Sequence, residues 1–435
     1  MNETTSPGTA GTDTPLEARR RGIKGDLPAR SVPKWRGNAV AWVLLLAAAC
    51  TGPGGSSAPQ GDAGAVWPGE AWPVSTPEAE GVDAAAIEAL VRDIDAGRYG
   101  LIDHFLLIRN GYVIADHRWD HGEKYAELLT QQPDTVLHQY NYDHPDWHPY
   151  YRDTDLHSLQ SVTKSVMSVA FGVAVDAGYI SGVDDAAWPW FADQDVDLAE
   201  PRRAATTIED LLTMRSGMDW ARPGQPYTDE THPTAILEAS DAWIEYVVEQ
   251  PIGTDPGERF DYNDGVSVLL GKMVREATGQ RLDAWAEERL FGPIGIDEYY
   301  WKITPGGEAD SEGGLYLSTH DLARIGYLML RGGEWDGRQI VSSEWVRVST
   351  SPVVPDVAPD NGRPDSGYGY QWWVPVHDDG ETRVFAGNGY GGQFLHVVPE
   401  HDLISVFNGW TLHQRAEMSS WTALQERILP AVGPS

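Results

Sequence analysis

Ser158-Leu159-Gln160-Ser161-Val162-Thr163-Lys164-Ser165-Val166-Met167-Ser168-Val169-Ala170-Phe171 opens an apolar run that continues to Gly178 and is long enough for a buried helix. A lysine stands inside it. After residue 50 the only lysines are Lys124, Lys164, Lys272 and Lys302, so an ammonium among Val162, Val166, Met167 and Val169 needs a chemical reason. On a helix, Ser161 and Lys164 are i and i+3 and share a face, so hydroxyl and amine can meet. The helix start adds positive potential, which favours a developing alkoxide or oxyanion. Desolvation is expected to lower the amine's pKa toward a value useful for proton transfer, which would make Ser161 nucleophilic without a histidine. Ser-x-x-Lys is a weak signal by itself and needs companions.

Two other stretches supply them. Phe260-Asp261-Tyr262-Asn263-Asp264 follows Asp255-Pro256-Gly257-Glu258 and precedes a helical pattern, so Tyr262 sits at a loop-to-helix junction where its phenol can face a cleft. Beside an ammonium a phenolate is stabilised, and Tyr262 is therefore a candidate general base. Gly387-Asn388-Gly389-Tyr390-Gly391-Gly392-Gln393 runs into Phe394–Val398. Such glycine density lets a strand edge approach a substrate and offer backbone N–H groups, as an oxyanion hole requires.

Around these stretches the elements can be read from their punctuation. Asn110-Gly111, between His104–Arg109 and Tyr112–Ala115, is a hairpin signal. Thr207-Ile208-Glu209-Asp210 has the form of a capping box. Gly265–Thr278, Arg281–Phe291 and Thr319–Leu330 have helical spacing and are followed by glycine. A second hairpin turns at Pro399-Glu400 between Phe394–Val398 and Leu403–Phe407, and Ser420–Leu429 closes as a helix. Strands at both ends with helices between predict an α/β protein of α+β type. Its antiparallel sheet is built from both chain ends and carries an inserted helical region.

Ser161-Val162-Thr163-Lys164-Ser165, Leu211-Leu212-Thr213-Met214-Arg215-Ser216-Gly217, Pro256-Gly257-Glu258-Arg259-Phe260-Asp261-Tyr262, Gly313-Gly314-Leu315-Tyr316 and Gly367-Tyr368-Gly369-Tyr370-Gln371-Trp372-Trp373 together resemble one family. It is the serine β-lactamase and penicillin-recognising superfamily, in its class C-like branch with carboxylesterases and 6-aminohexanoate-dimer hydrolase. The likeness spans nearly all of residues 72–435 and implies a β-lactamase-like fold. It also implies Ser161 as acyl-enzyme nucleophile, Lys164 as proton acceptor or electrostatic activator, and Tyr262 as base for the leaving group and the deacylating water. The backbone N–H groups of Ser161 and Tyr390 would form the oxyanion hole, with no metal and no cofactor.

Two departures from the family pattern bear on substrate. The family's Tyr-x-Asn is Tyr262-Asn263-Asp264 here, so Asp264 stands where an Asn would touch the lysine and a substrate amide, and it should hold Lys164 charged more strongly. The family's Lys-Thr-Gly or His-x-Gly strand is replaced by Gly387-Asn388-Gly389, which leaves Asn388 and Gly389 as substrate-binding candidates and no cation on that strand for a carboxylate. Arg383, from a neighbouring loop, is the residue that could reach the same spot.

The remaining composition sets limits. With 65 acidic against 32 basic residues the formal charge is −33, which excludes nucleic acid as a natural partner and describes a solvated acidic surface. Lys34 and Arg36 precede an apolar run, Ala39–Ala49, too short to span a bilayer but fit for a signal-peptide core. The run ends Leu46-Ala47-Ala48-Ala49-Cys50, which resembles a bacterial lipobox with Ala where Leu is preferred three residues before the cysteine. Residues 1–50 therefore read as a polar tail and lipoprotein-type signal with Cys50 as lipidation site, 51–71 as a Gly/Ser/Pro tether, and 72–435 as the hydrolase domain. Export to the bacterial periplasm or cell envelope, with membrane contact only through the lipid, follows as an expectation. A non-lipidated secretory signal or a short membrane anchor is the alternative. His138, His144, His148 and His157 cluster near Asp143 and Asp146 at spacings that match no standard metal motif, and they read as a polar loop. The functional expectation is a serine hydrolase acting through an acyl-enzyme on small to medium esters or amides. A β-lactamase or D,D-peptidase, and a non-catalytic module of the same fold, are the alternatives.

Overall fold

Asn110 and Gly111 both take positive φ, 54° and 82°, the left-handed pair that a two-residue hairpin demands. They join β1 (Ile102–Arg109) to β2 (Tyr112–Arg118), with Arg109 paired to Tyr112. The computed structural model describes residues 64–121, 154–222, 224–225, 227, 229–358, 366–375, 383–411 and 416–433. The apolar run 39–49, Cys50, His138, His144, His148, Asp143 and Asp146 lie outside the described residues.

The partner of β1 on its other side comes from the far end of the chain. β12 (Leu403–Gly409) pairs with β1 antiparallel and is joined by a tight turn at Pro399–His401 to β11 (Gln393–Val398), which pairs with β10 (Phe385–Gly389). With β8 (Ser366–Tyr368) and β9 (Trp373–Pro375) the order is β2-β1-β12-β11-β10-β9-β8, antiparallel throughout. This is the expected sheet assembled from both chain ends. Among the described residues between its two halves helices outnumber strands, and there are two small sheets. One holds β3 (His157–Ser158), β4 (Tyr300–Trp301) and β5 (Leu315–Leu317), and the other β6 (Glu334–Trp335) and β7 (Arg338–Gln339).

Both faces of the main sheet are covered, which explains why β1 reads as a continuous apolar run and not as an alternation. Phe105 and Leu107 face one layer, formed by α1 (Ala84–Asp95) and the C-terminal helix α6 (Ser420–Ala423) with the turns that extend it. Leu106 and Ile108 face the other, where α2 (Val162–Asp176) and α5 (Thr319–Leu330) pack. Two more helices complete the surroundings of the site, α3 (Pro233–Ala239) and α4 (Asp264–Thr278). Trp67 lies edge-on to Tyr327 of α5, and the Val66 carbonyl accepts from the Tyr327 hydroxyl at 2.7 Å. Among the described residues no helix is long and apolar enough to cross a membrane.

Most predicted elements occur, and the differences are informative. Thr207 and Asp210 form the reciprocal capping box, and α5 has its expected bounds. The stretch 281–291 begins as a helix at Leu282–Ala286 and loosens into a π turn over Glu287–Phe291. Most consequential is α2, which starts at Val162 and not at Ser158. Ser158 pairs with Tyr316 in β3–β5, and Gln160 takes φ 48°, which turns the chain sharply into the helix. From Val162 to Ala174 every α2 residue is buried, as expected for a helix apolar on all sides.

Gln371 binds the layers together. It is buried, its backbone carbonyl accepts from Ser165 Oγ of α2 at 2.7 Å, and its Oε1 accepts from Ser267 Oγ of α4 at 2.8 Å. Its Nε2 donates to the Leu212 carbonyl at 2.9 Å. Gln371→Ala would strand the buried Ser267 hydroxyl and leave a cavity, at a cost of about 2–4 kcal/mol, while the backbone bonds of residue 371 to Ser165 and Leu212 stay. We predict a lower urea midpoint with an unchanged m-value; an unchanged midpoint would show that the side-chain bond of Gln371 to Ser267 of α4 contributes nothing to stability.

Candidate active site

A serine at a helix N-cap normally turns its hydroxyl onto the backbone N–H two or three residues ahead. Ser161 occupies that position, with φ −61° and ψ −9°, and makes no such bond. Its Oγ instead receives a hydrogen bond from Lys164 Nζ at 3.1 Å. Lys164 is 1% exposed, and every contact of its ammonium is to oxygen: the Glu312 carbonyl at 2.7 Å, Asp264 Oδ1 at 2.7 Å and Glu312 Oε2 at 3.4 Å.

These oxygens come from distant parts of the chain. Asp264 is the first residue of α4, where Asn263 caps the helix by accepting from the Val266 N–H at 3.2 Å. Its second oxygen accepts from Thr234 Oγ1 of α3 at 2.6 Å, so the carboxylate is held on both sides. Tyr262, two residues before α4, is half-buried, with its ring stacked on Trp373 at 5.7 Å. The ring lies 5.2 Å from Lys164 Nζ, and its hydroxyl interacts with both Ser161 and Lys164. The structure thus brings Ser161, Lys164, Tyr262 and Asp264 together.

The electrostatics correct one expectation. Burial alone would push the Lys164 amine down, but Asp264, the neighbouring phenols and Glu312 carry it well above the ordinary lysine value. The resting group is an ammonium. Burial also pushes the Tyr262 phenol up, against the opposing pull of Lys164, so Tyr262 rests as a neutral phenol. Tyr227 stands at the same spot, its ring 4.6 Å from that of His232 and 6.2 Å from that of Tyr390. Burial raises its phenol strongly as well. Tyr227, Thr234, Glu238 and Glu312 are members of the site that the sequence reading did not select; the glycine pair after Glu312 was the one nearby signal.

The strand β10 faces the start of α2. A Cβ added to Gly387 would lie 2.7 Å from Val162 Cγ1, and one on Gly389 would collide with the Leu159 carbonyl. Only glycine allows this approach. Residue 387 therefore has no room for a cationic side chain, while Asn388 points outward and is exposed. Tyr390 follows at the turn into β11 and is 40% exposed. Arg383 is committed elsewhere, donating to Thr350 Oγ1 at 2.6 Å and to the Thr350 carbonyl at 3.2 Å.

His157, singled out with the histidine-rich segment, binds Asp103 through Nε2 at 3.0 Å and packs on Trp410 with ring centroids 4.8 Å apart. Asp103 also meets His121 Nδ1 at 2.8 Å. Among the described residues one group of side chains has ligand atoms near enough to share an ion: His104, Asp116 and His320. There each imidazole is matched to one oxygen of the Asp116 carboxylate, at 2.7 and 3.0 Å.

With the serine, lysine and tyrosine set between a helix start and a strand edge, the class of protein is defined by fold and site together. The sequence model of the Beta-lactamase family matches residues 113–424, and the chain belongs to that family. The 6-aminohexanoate-dimer hydrolase of Paenarthrobacter ureafaciens is 26% identical over 300 residues, 64% of this chain and 73% of its own. Among solved structures, a penicillin-binding protein homologue from Pyrococcus abyssi superposes with TM-score 0.55 at 18% identity, covering 80% of this chain and 79% of its own. The hydrolase EstCE1, with promiscuous acyltransferase activity, gives TM-score 0.57 at 16% identity, covering 80% and 98%. These structures share the fold.

The pKa directions yield a signed prediction. Asp264 raises both Lys164 and Tyr262, so Asp264→Asn lowers the pH at which the pair gives up a proton. If that proton must leave before Ser161 reacts, the rise of kcat/KM with pH shifts to lower pH by about one unit or more in the variant. A profile that stays in place, in a folded variant, would remove Asp264 from control of the base.

Proposed function

We propose that the chain is a serine hydrolase that forms an acyl-enzyme at Ser161 on esters or neutral amides of small to medium size. The observation that carries this reading is the 3.1 Å contact between Lys164 Nζ and the uncapped Ser161 Oγ at the start of α2. In the competent state the site has one proton fewer than at rest. The deficiency falls on Tyr262, whose phenolate is stabilised by the adjacent Lys164 ammonium. Tyr262 takes the Ser161 proton as Oγ attacks the carbonyl carbon, and the oxyanion is held by the Ser161 and Tyr390 N–H groups. The phenol then gives its proton to the leaving oxygen or nitrogen as that bond breaks. Water repeats the cycle from the other side, with Tyr262 taking its proton and Ser161 leaving as the alcohol. Amides stay within the proposal because the relative named above is called a dimer hydrolase of an aminohexanoate.

Selectivity follows from charge. Gly387 excludes a cation from β10, Arg383 is bound to Thr350, and Asp264 adds negative charge beside Lys164. An anionic β-lactam forgoes a charge-assisted hydrogen bond worth roughly 1.5–3 kcal/mol, about ten- to a hundredfold in affinity. We also propose export and lipid anchoring through Cys50, supported by Lys34, Arg36, the apolar run 39–49 and the small residues before the cysteine.

Ser161→Ala is expected to abolish fluorophosphonate labelling, and Lys164→Ala to slow ester hydrolysis by about a thousandfold or more. Wild-type kcat/KM for a short-chain p-nitrophenyl ester should exceed that for nitrocefin; equality or reversal would favour a β-lactamase, and absence of both activities and of labelling a binding module. For export, palmitate should label the wild type and not Cys50→Ser; equal labelling would refute the anchor.

A further inference from the structure

Three side chains that the chemistry at Ser161 does not use converge where the main sheet meets α5. His104 stands on β1 and Asp116 on β2. Because the strands pair Leu106 with Asp116, both lie on the sheet face that carries Leu106 toward α2 and α5. His320 meets them as the second residue of α5. His104 Nε2 donates to Asp116 Oδ1 at 2.7 Å, and His320 Nε2 donates to Asp116 Oδ2 at 3.0 Å, with the two imidazole rings 5.5 Å apart. One potential ligand atom from each of the three lies within 4.8 Å of the others.

Each histidine is brought there by contacts of its own element. β1 lies between β2 and β12, which leaves the His104 side chain 8% exposed. The start of α5 is pinned twice: Thr319 Oγ1 donates to Asn408 Oδ1 of β12 at 2.8 Å, and the His320 carbonyl accepts from Trp72 Nε1 at 3.2 Å. Arg118, two residues after Asp116 on β2, donates to Asp155 at 2.8 Å. The Asp116 carboxylate therefore has an imidazole, not a guanidinium, within hydrogen-bond distance of each oxygen. On the face that Leu106 and Ile108 give to the core, a buried imidazole loses its water, and a metal–nitrogen bond offsets that loss more fully than one hydrogen bond.

We propose that His104, Asp116 and His320 bind one zinc ion, with water as the fourth ligand, and that the ion clasps β1 and β2 to the start of α5. Two imidazole nitrogens and one carboxylate oxygen are a donor set that zinc takes at sites with three protein ligands and one water. Zinc holds such donors at about 2.0–2.2 Å, which sets them roughly 3.4 Å apart in a tetrahedron. The nitrogen–oxygen pairs at 2.7 and 3.0 Å open by less than about 1 Å to reach that spacing. His104 is the fixed anchor, while the Asp116 and His320 side chains, 37% and 28% exposed, have room to adjust. In the bound state each imidazole carries its proton at Nδ1, so that the Nε2 lone pair faces the metal. A divalent ion also suits Asp116 in a chain of formal charge −33. The inference is independent of the hydrolase reading.

The test is equilibrium dialysis of the full chain, free of any affinity tag, against a series of buffered zinc concentrations. Wild type, His320→Ala and Asp116→Asn are compared, with bound metal counted by mass spectrometry and folding checked by circular dichroism. The wild type should fill one site at micromolar free zinc or below, and each variant should bind at that site about a hundredfold more weakly or worse. Histidines elsewhere that take up metal contribute equally to all three chains and cancel in the comparison. Cobalt in place of zinc should give the wild type the visible band of a four-coordinate nitrogen and oxygen site, and His320→Ala should lack it. Equal zinc binding by the wild type and a folded His320→Ala places the metal elsewhere and overturns the proposal, as does a wild type that holds no zinc at micromolar free metal. If His320→Ala does not fold, Asp116→Asn decides, because its amide still accepts from one imidazole but has lost the charge. Zinc affinity unchanged in that variant refutes the site, and affinity lost supports it.

Discussion

An ammonium with 1% exposure is tolerable only if oxygens replace its water, and the site is organised around meeting that demand at Lys164. Asp264 answers it at 2.7 Å from the first turn of α4, and the Glu312 carbonyl answers it at 2.7 Å from the loop before β5. Both must be carried to one point next to the start of α2. Thr234 of α3 holds the far side of Asp264, and Gln371 ties α2 to α4. Breaking one partner of such a pair strands the other and costs about 3–5 kcal/mol, so the constraint that serves chemistry also locks the helical layer.

The same demand frees the Ser161 hydroxyl. Ser161 would gain stability by capping α2, and the chain forgoes that bond because Gln160 enters the helix at φ 48° and Lys164 meets the hydroxyl from within. β10 then closes on this turn with glycines at 387 and 389, which come against Val162 and against Leu159 and Gln160 at the expense of any side chain on that face. Packing against Val162 therefore leaves no room for a side chain at position 387. Around Lys164 this chain sets two buried carboxyl groups, Asp264 and Glu312, against one ammonium.

Local chemistry made much of this legible in the sequence. Asn110-Gly111 turns because only a left-handed pair joins β1 to β2, and Thr207 and Asp210 cap because their side chains and backbone are three residues apart. Ser161 and Lys164 meet because a helix brings i and i+3 together. The misreadings arise where distant residues decide. The helix starts at Val162, not Ser158, because Ser158 is claimed by Tyr316 across β3–β5. The Lys164 pKa moves up, not down, because Glu312, 148 residues away, and Asp264 override desolvation. Glu238 and Tyr227 carry no local signature, since an acid on a short amphipathic helix and a tyrosine in a proline-rich loop acquire their roles only once α3 and the loop are folded against Lys164.

The central claim is that Ser161, made nucleophilic beside a charged Lys164 and the Tyr262 phenol, takes the acyl group of the substrate. It is tested most directly by quenching the enzyme in acid during turnover of p-nitrophenyl acetate and locating the added acetyl by peptide mass spectrometry. The account predicts one acetyl group, on the peptide containing Ser161, that disappears on longer incubation before quenching. An acetyl group on another residue, or turnover with no acyl-enzyme in a chain quenched at every stage, would contradict it.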